Sequence, residues 1–474
     1  MGHCRGEDPS VVTLFGGFLQ TLGTRLFCLM TTMVGTVVTA RLLGPEGKGL
    51  IVVLGTLAGT IVQFGSLGIT AANVHFTARG EEQLPRLAGT SAWVAMGMGG
   101  GLGGLLLAGA AWRPDLLPGV PMVLLLVTVL SLPFLLGSQL FQNLLLGMEA
   151  IRAYNGIDVL RTGLGVGMVL GLAVLGALTV SSLVLVSAVL AIVVSALAVW
   201  AVRTRAALSW KFDAATFRAA VGYGIVFFVN NLLAFLLLKS DFFLVNHFLG
   251  VGEVGIYSVS VQIADLLLLA PATLGTLLFP RLSAIQDPIE RTQTCLQFTR
   301  LAAAGMALAC LCAGLISPVL IPLLMGAPFQ PAWTPLIILL PGIWLLALEN
   351  ILVMHLAARR LPLLIPGLWF LGLALNIGLN VWLLPRFGLA AAAMTSSLAY
   401  AIVALGVFGL FRSETGASLW EILVPRQMDW VKVMRRLQDC RDAGTPAALE
   451  GNLGVEREWA GPEAPQIKHL GPRR

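Results

Sequence analysis

Leu43-Gly44-Pro45-Glu46-Gly47-Lys48-Gly49-Leu50 follows the first long apolar run of the chain, and Leu249-Gly250-Val251-Gly252-Glu253-Val254-Gly255-Ile256 returns the pattern 206 residues later. Asn143 and Arg152 recur at nearly the same offset as Asn350 and Arg359. Two stretches in register mark an internal duplication. A helix crosses a bilayer with about 20 apolar residues. Cutting the chain by that length, and by Gly, Pro and charge punctuation, gives twelve spans. They fall at 11–40, 50–73, 87–112, 120–146, 156–177, 180–202, 217–246, 255–279, 301–325, 333–357, 363–384 and 388–411. The fifth and sixth touch at 180–182. Six spans per copy is an even number, so both copies enter the membrane the same way round. Parallel repeats of this kind are related by an axis along the membrane normal and enclose a cavity suited to alternating access.

The distribution of charge agrees with this division. Thirteen Lys and Arg residues, from Arg79 and Arg86 through Arg152, Arg161 and Arg203 to Arg359 and Arg360, fall in loops on one side. Only Arg41, Lys48, Arg113 and Arg386 fall on the other. The positive-inside rule makes the first side cytoplasmic and places both termini there.

Composition excludes a water-soluble globule, because charged residues are only 11% of the chain where a soluble domain carries about a quarter. The 53 glycines suit helices that pack closely in lipid. A net charge of +6 does not point to nucleic acid, since the basic residues form no patch interleaved with aromatics. The first apolar run has no basic leader or small-residue cleavage site and reads as a retained helix. The expected organisation is a cytoplasmic segment 1–10, a six-helix bundle 11–202, a linker 203–216, a second bundle 217–411 and a cytoplasmic tail 412–474. Within that tail 420–437 reads as a basic interfacial helix, followed by a disordered end. Gly99-x-Gly101-x-x-Gly104 has the spacing of a dinucleotide fingerprint but lies inside an apolar run with no preceding strand, so it reads as helix packing. The six cysteines show neither zinc spacing nor a disulfide framework, and no metal or organic cofactor is expected.

Three motifs carry a family resemblance. They are Ala40 to Gly49, the segment from Asp241 to Tyr257, and Asn376-x3-Asn380-x3-Leu384-Pro385-Arg386-Phe387-Gly388. Together with twelve spans in two halves, they make residues 11–411 resemble the polysaccharide-biosynthesis membrane proteins. These are the O-antigen and lipid-linked oligosaccharide flippases of the multidrug/oligosaccharidyl-lipid/polysaccharide exporter superfamily. The resemblance implies an all-α, V-shaped bundle with a central cavity, in a bacterial cytoplasmic membrane. It also implies transport of a polyprenyl-diphosphate-linked glycan from the cytoplasmic to the periplasmic leaflet. Membrane lipids and a glycan polymerase or other polysaccharide-assembly proteins are the implied partners. Lys48 departs from the family, which often has an aromatic residue there.

Charges inside spans give a second route to function, since each costs at least about 2.5–3.5 kcal/mol at mid-bilayer. The charges well inside the spans are Arg25, Lys239, Asp241, Asp265 and Glu349. Arg25 suits a diphosphate because a guanidinium binds phosphate oxygens bidentately; the alternative is a pair with Asp265 or Glu349. Lys239 and Asp241 are substrate-contact candidates, with snorkelling to the interface as the other reading of Lys239. Asp265 and Glu349 are candidates for proton or sodium coupling. Gln63, Asn73, Asn230, Asn231 and Asn376 can meet sugar hydroxyls, or bond between helices. Prolines within spans, Pro133 and Pro271 among them, suit kinks or gates. Two alternatives stay open: a cation-coupled multidrug exporter of the same superfamily, and a membrane-embedded glycan-modifying enzyme. An enzyme needs acids, bases or metal ligands converging on a cleft, and the longest loops, near 203–216 and 280–300, hold no such set.

Overall fold

The computed structural model describes residues 9–423 apart from 81, 82, 207 and 359–363, with side chains described from Gly23 onward except Leu277 and Leu419. Arg359, Arg360, Cys4, Cys440 and the expected interfacial helix beyond Leu423 lie outside the described residues. Within them the chain is all-helical. Among the described residues eleven helices are long and apolar enough to cross a membrane.

The first helix, α1 (Pro9–Gly65), runs for 57 residues. That is about 85 Å at 1.5 Å per residue, far more than one bilayer. Gly44 interrupts it with φ 66° and ψ −172°, a conformation that glycine adopts without steric cost. Its repeat counterpart Gly250, φ 92° and ψ 170°, separates α7 (Ala214–Leu249) from α8 (Val251–Ala284). The same bend therefore divides spans one and two, and spans seven and eight. The second span does not continue smoothly to 73 as its hydropathy suggests. It breaks at 66–68, with Leu67 and Gly68 at positive φ, and resumes as α2 (Ile69–Arg79).

The remaining helices are α3 (Leu84–Trp112), α4 (Met122–Gly147), α5 (Ile151–Val174), α6 (Val180–Arg203), α9 (Pro288–Met325), α10 (Trp333–Ala357), α11 (Leu364–Phe387), α12 (Leu389–Thr415) and the short α13 (Leu419–Leu423). The uncertain division of spans five and six falls at 175–179. Thr179 caps α6, its side chain accepting from the Ser182 amide in a capping box, which meets amides that the helix itself leaves unpaired.

Each half repeats one packing scheme. In the first half α1 packs on α5, and α4 on α3 and α6; in the second α7 packs on α11, and α10 on α9 and α12. Asn143 and Asn350 both donate to the carbonyl four residues earlier. Gly99 of the fingerprint-like run lies against the backbone of Pro133, where an added Cβ would come within 2.7 Å of the Pro133 Cα. It packs α3 on α4.

The two copies of the opening motif meet each other. A Cβ on Gly49 would lie 1.9 Å from the Val251 carbonyl oxygen, and one on Gly255 would lie 1.9 Å from that of Pro45. Only hydrogen on both Cα atoms permits so close a crossing of α1 and α8. Lys48, read from the sequence as a loop residue, is inside α1 and only 3% exposed, donating to Gln262 Oε1 at 3.2 Å. Arg41, also taken as a loop charge, lies in α1 and donates to the carbonyls of Leu323 and Leu324 at the end of α9, where orphan carbonyls favour a cation. Asn246 donates to the Pro118 carbonyl at 3.3 Å. These ties lie at the arginine-poor end, and Gly68 and Gly224 cross nearly as closely at the other.

Candidate functional site

The halves share a scheme but not their centres. In the second half one extended apolar core fills the middle, including Leu345 and Leu346. At the equivalent positions the first half has Ser138 and Gln139, which line an open cavity of about 800 Å³. That volume lies within the roughly 300–1,000 Å³ of small-molecule sites. Its walls come from α1, α4, α5 and α6. The α4 wall carries Thr128, Ser131, Ser138, Gln139, Gln142 and Asn143. Steps of three and four residues keep a single helical face, so α4 turns its polar stripe inward.

At one end of the cavity stand Tyr154, Asp158 and Arg161 of α5. These three also line an adjoining recess of about 240 Å³, shared with Arg25, Cys28 and Thr32 of α1. The Cys28 thiol reaches the Asp158 carbonyl at 3.7 Å, tying α1 to α5. Both guanidinium groups act electrostatically on the Asp158 carboxylate. Two cations against one anion leave this mouth with a net positive charge. The loop charge pattern places Arg161 on the cytoplasmic side, yet Arg161 and Asp158 both lie well inside α5.

A polysaccharide biosynthesis protein family model matches residues 38–334, more than half of the chain. The chain belongs to that family. No curated protein matches it in sequence. Among solved structures, this family member resembles the lipid II flippase MurJ in an inward closed conformation, with TM-score 0.67 and 15% identity over 84% of this chain and 88% of that one. It also resembles an inward-facing multidrug resistance MATE family transporter of the MOP superfamily, with TM-score 0.66 and 14% identity over 84% of this chain and 98% of the other. A Vibrio cholerae MATE transporter, VcmN, gives 0.56 and 14% over 87% and 100%. These likenesses establish the fold.

In this polysaccharide biosynthesis protein the charges expected inside the spans do not converge on one site. Arg25 faces Asp158 and Arg161, not Asp265 or Glu349. Lys239 forms an ion pair with Asp265 at 2.8 Å, the side chains 26% and 43% exposed. Asp241 belongs to a separate buried network in the second half. Its carboxylate accepts from Tyr257 Oη at 3.0 Å, from Asn380 Nδ2 at 3.0 Å and from the Ser396 hydroxyl. Asn376 donates to Ser396 Oγ at 3.1 Å. Four helices, α7, α8, α11 and α12, are joined there. Glu349 is buried in α10 and makes no hydrogen bond among the described residues.

Asn73 is fully buried, donating to Ser91 Oγ at 2.9 Å and the Leu140 carbonyl at 3.1 Å. This is an interhelical tie rather than a cavity contact. Asn230 is half-buried and Asn231 exposed on α7, and Gln63 is half-buried near the break in the second span; none of the three lines the α4 cavity.

Proposed function

We propose that this protein is a flippase, carrying a polyprenyl-diphosphate-linked glycan from the cytoplasmic to the periplasmic leaflet of a bacterial cytoplasmic membrane by alternating access. The observation that carries the reading is the recess where Arg25 and Arg161 approach from different helices and open into a cavity walled by neutral hydrogen-bonding side chains. Guanidinium groups suit a diphosphate, and hydroxyls and amides suit sugars. A hydrophobic cation would prefer an aromatic, acidic box; here the one carboxylate, Asp158, stands beside two arginines. A membrane enzyme would need a converging acid and base, and Asp158 has no second carboxylate or histidine beside it among the lining residues. One solved protein of this fold is a lipid II flippase, in keeping with a lipid-linked cargo.

The arginine-rich side then faces the cytoplasm, and the Gly49–Gly255 crossing closes the periplasmic end. Coupling to a proton or sodium falls to Glu349 more readily than to Asp265, which is held by Lys239. Membrane lipids surround the spans, and glycan polymerase or other assembly proteins take up the cargo.

Arg25→Ala and Arg161→Ala are expected to reduce surface glycan by about 10- to 100-fold at unchanged protein level, the equivalent of one charged hydrogen bond of about 1.5–3 kcal/mol. Arg25→Lys should restore part of the export, because it keeps the charge and loses the fork. Surface glycan and membrane abundance are measured side by side. Normal export by both alanine variants at normal abundance would remove the recess from the transport path.

A further inference from the structure

The hydrogen-bond polarity of the cavity wall sorts the two ends of such a cargo. Thr128 Oγ1 donates to the Leu124 carbonyl at 2.8 Å, Ser131 Oγ to that of Thr128 at 2.7 Å, Ser138 Oγ to that of Leu135 at 2.8 Å and Ser187 Oγ to that of Leu183 at 2.9 Å. Asn143 Nδ2 donates to the Gln139 carbonyl at 2.8 Å. A hydroxyl has one hydrogen and two lone pairs. These four hydroxyls spend their hydrogen on their own helix, so they offer only lone pairs to the cavity, while Asn143 offers its carbonyl oxygen and the second hydrogen of its amide. Gln142 is 7% exposed and lines the same space, with no hydrogen bond among the described residues. Its amide therefore opens to the cavity and is available to a ligand or water there.

We infer that the cavity among α1, α4, α5 and α6 is a sugar-reading subsite that takes the neutral hydroxyls of the glycan as donors, while the diphosphate stays at the Arg25–Arg161 recess. The inference rests on the flippase reading. A diphosphate carries only acceptors and finds no donors among those four hydroxyls. Guanidinium groups carry only donors and find in the diphosphate the acceptors they need. Sugar hydroxyls bring donors to an acceptor-rich wall, and the amides of Gln139, Gln142 and Asn143 supply both kinds. The apolar side chains of Leu54, Ala58 and Leu183 offer contact to the C–H faces of the rings. The head of the cargo therefore enters the first half of the protein rather than resting equally between both.

The test uses the full chain in lipid nanodiscs with three probes: undecaprenyl diphosphate without sugar, undecaprenyl diphosphate bearing one N-acetylglucosamine, and the lipid-linked glycan pool extracted from the producing cells. Binding is read as the concentration dependence of thermal stabilisation. The wild type should bind the bare lipid, and the glycan-bearing probes more tightly. Gln142→Leu and the Ser131→Ala/Ser138→Ala double variant should weaken the glycan-bearing probes by about tenfold, the loss of one or two neutral hydrogen bonds, and leave the bare lipid unchanged. Losing back-bonded hydroxyls leaves their carbonyls in the helix ladder, and Gln142 holds no hydrogen bond among the described residues, so both variants should reach wild-type abundance. Arg161→Ala should weaken all three probes alike. Unchanged affinity for the glycan-bearing probes in both cavity variants would overturn the subsite and leave the flippase reading standing. A wild type that binds none of the probes would overturn the flippase reading and the subsite together.

Discussion

Gly255→Ala adds one methyl group at the tightest approach between the two halves. Its carbon would lie 1.9 Å from the Pro45 carbonyl oxygen and 2.8 Å from the carbonyl carbon. Carbon–oxygen contacts settle near 3.3–3.6 Å, so α8 must withdraw from α1 by roughly 1.5 Å. Neither partner is a flexible side chain that could turn aside; both are helix backbone. Overpacking of this kind costs about 1–3 kcal/mol, and the cost falls only on the state in which the crossing is closed. At a factor of ten per about 1.4 kcal/mol, the ratio of open to closed at this end should rise by about 5- to 150-fold. Opening would also separate Lys48 from Gln262, now 3.2 Å apart, and let water reach the Lys48 ammonium. The assay is a distance distribution between spin labels at Leu42→Cys and Phe248→Cys, equivalent exposed positions two residues before the two copies of the bend, in a background lacking the other cysteines. A longer distance is expected in Gly255→Ala, and a similar one in Gly49→Ala, whose clash with Val251 is the same. A distribution identical to the wild type in both variants would refute the claim that this crossing is the closure.

Asp241→Asn should lower the thermal stability of the second half, because an amide turns one acceptor into a donor opposite Tyr257, Asn380 and Ser396; the expected cost is about 1–3 kcal/mol, and an unchanged melting temperature would count against the network. Asp213 caps α7 from outside the membrane, where the Thr216 hydroxyl at 2.9 Å and then the Ala215 amide at 3.0 Å hold its carboxyl below the usual aspartate range. A depressed carboxyl stabilises the helix start above its unfolded pKa and loses that contribution as pH falls through the folded value. Hydrogen exchange at Ala215 and Thr216, corrected for intrinsic rate, should therefore rise as the medium is acidified below the normal aspartate range, and Asp213→Ala should show the raised exchange at neutral pH. A pH-independent protection factor would dismiss the cap.

The spans were legible because length and apolar content are imposed by the bilayer itself, and the duplication was legible because Gly44 and Gly250 must both adopt positive φ. Helix ends were less so: α9 begins at Pro288 rather than near 301 because its first turns extend the helix without being apolar. Lys48 escaped notice because hydropathy places a lysine between spans, whereas here a glycine-thin crossing surrounds it with backbone. Asp158 and Arg161 were hidden by their position near the edge of an expected span, where an arginine doubles as a topology marker. The polar face of α4 was missed because serine and threonine weigh little on any hydropathy scale. Its signal, Thr128, Ser131, Ser138, Gln142 at helical spacing, is present in the sequence for a search that counts hydroxyls and amides by face. Which acids and bases pair, Lys239 with Asp265 and Arg25 beside Asp158, required the tertiary arrangement.

At the crossing of α1 and α8, residue i of one repeat meets residue j of the other, and j meets i. Such reciprocity is what a two-fold axis imposes on a homodimer, where one patch must complement itself. Carried in a single chain, it is an isologous interface freed from the rule that every substitution occurs twice. In a dimer, replacing the glycine would insert two methyl groups at once, and few sequences would survive the doubled clash. Here each contact can be altered alone. Divergence is already visible in the residues whose carbonyls meet the glycines, Pro45 on one side and Val251 on the other, and most of all in the interiors, one half filled with leucine and the other left hollow and polar. Fusion let one copy keep the scaffold while the other became a vessel.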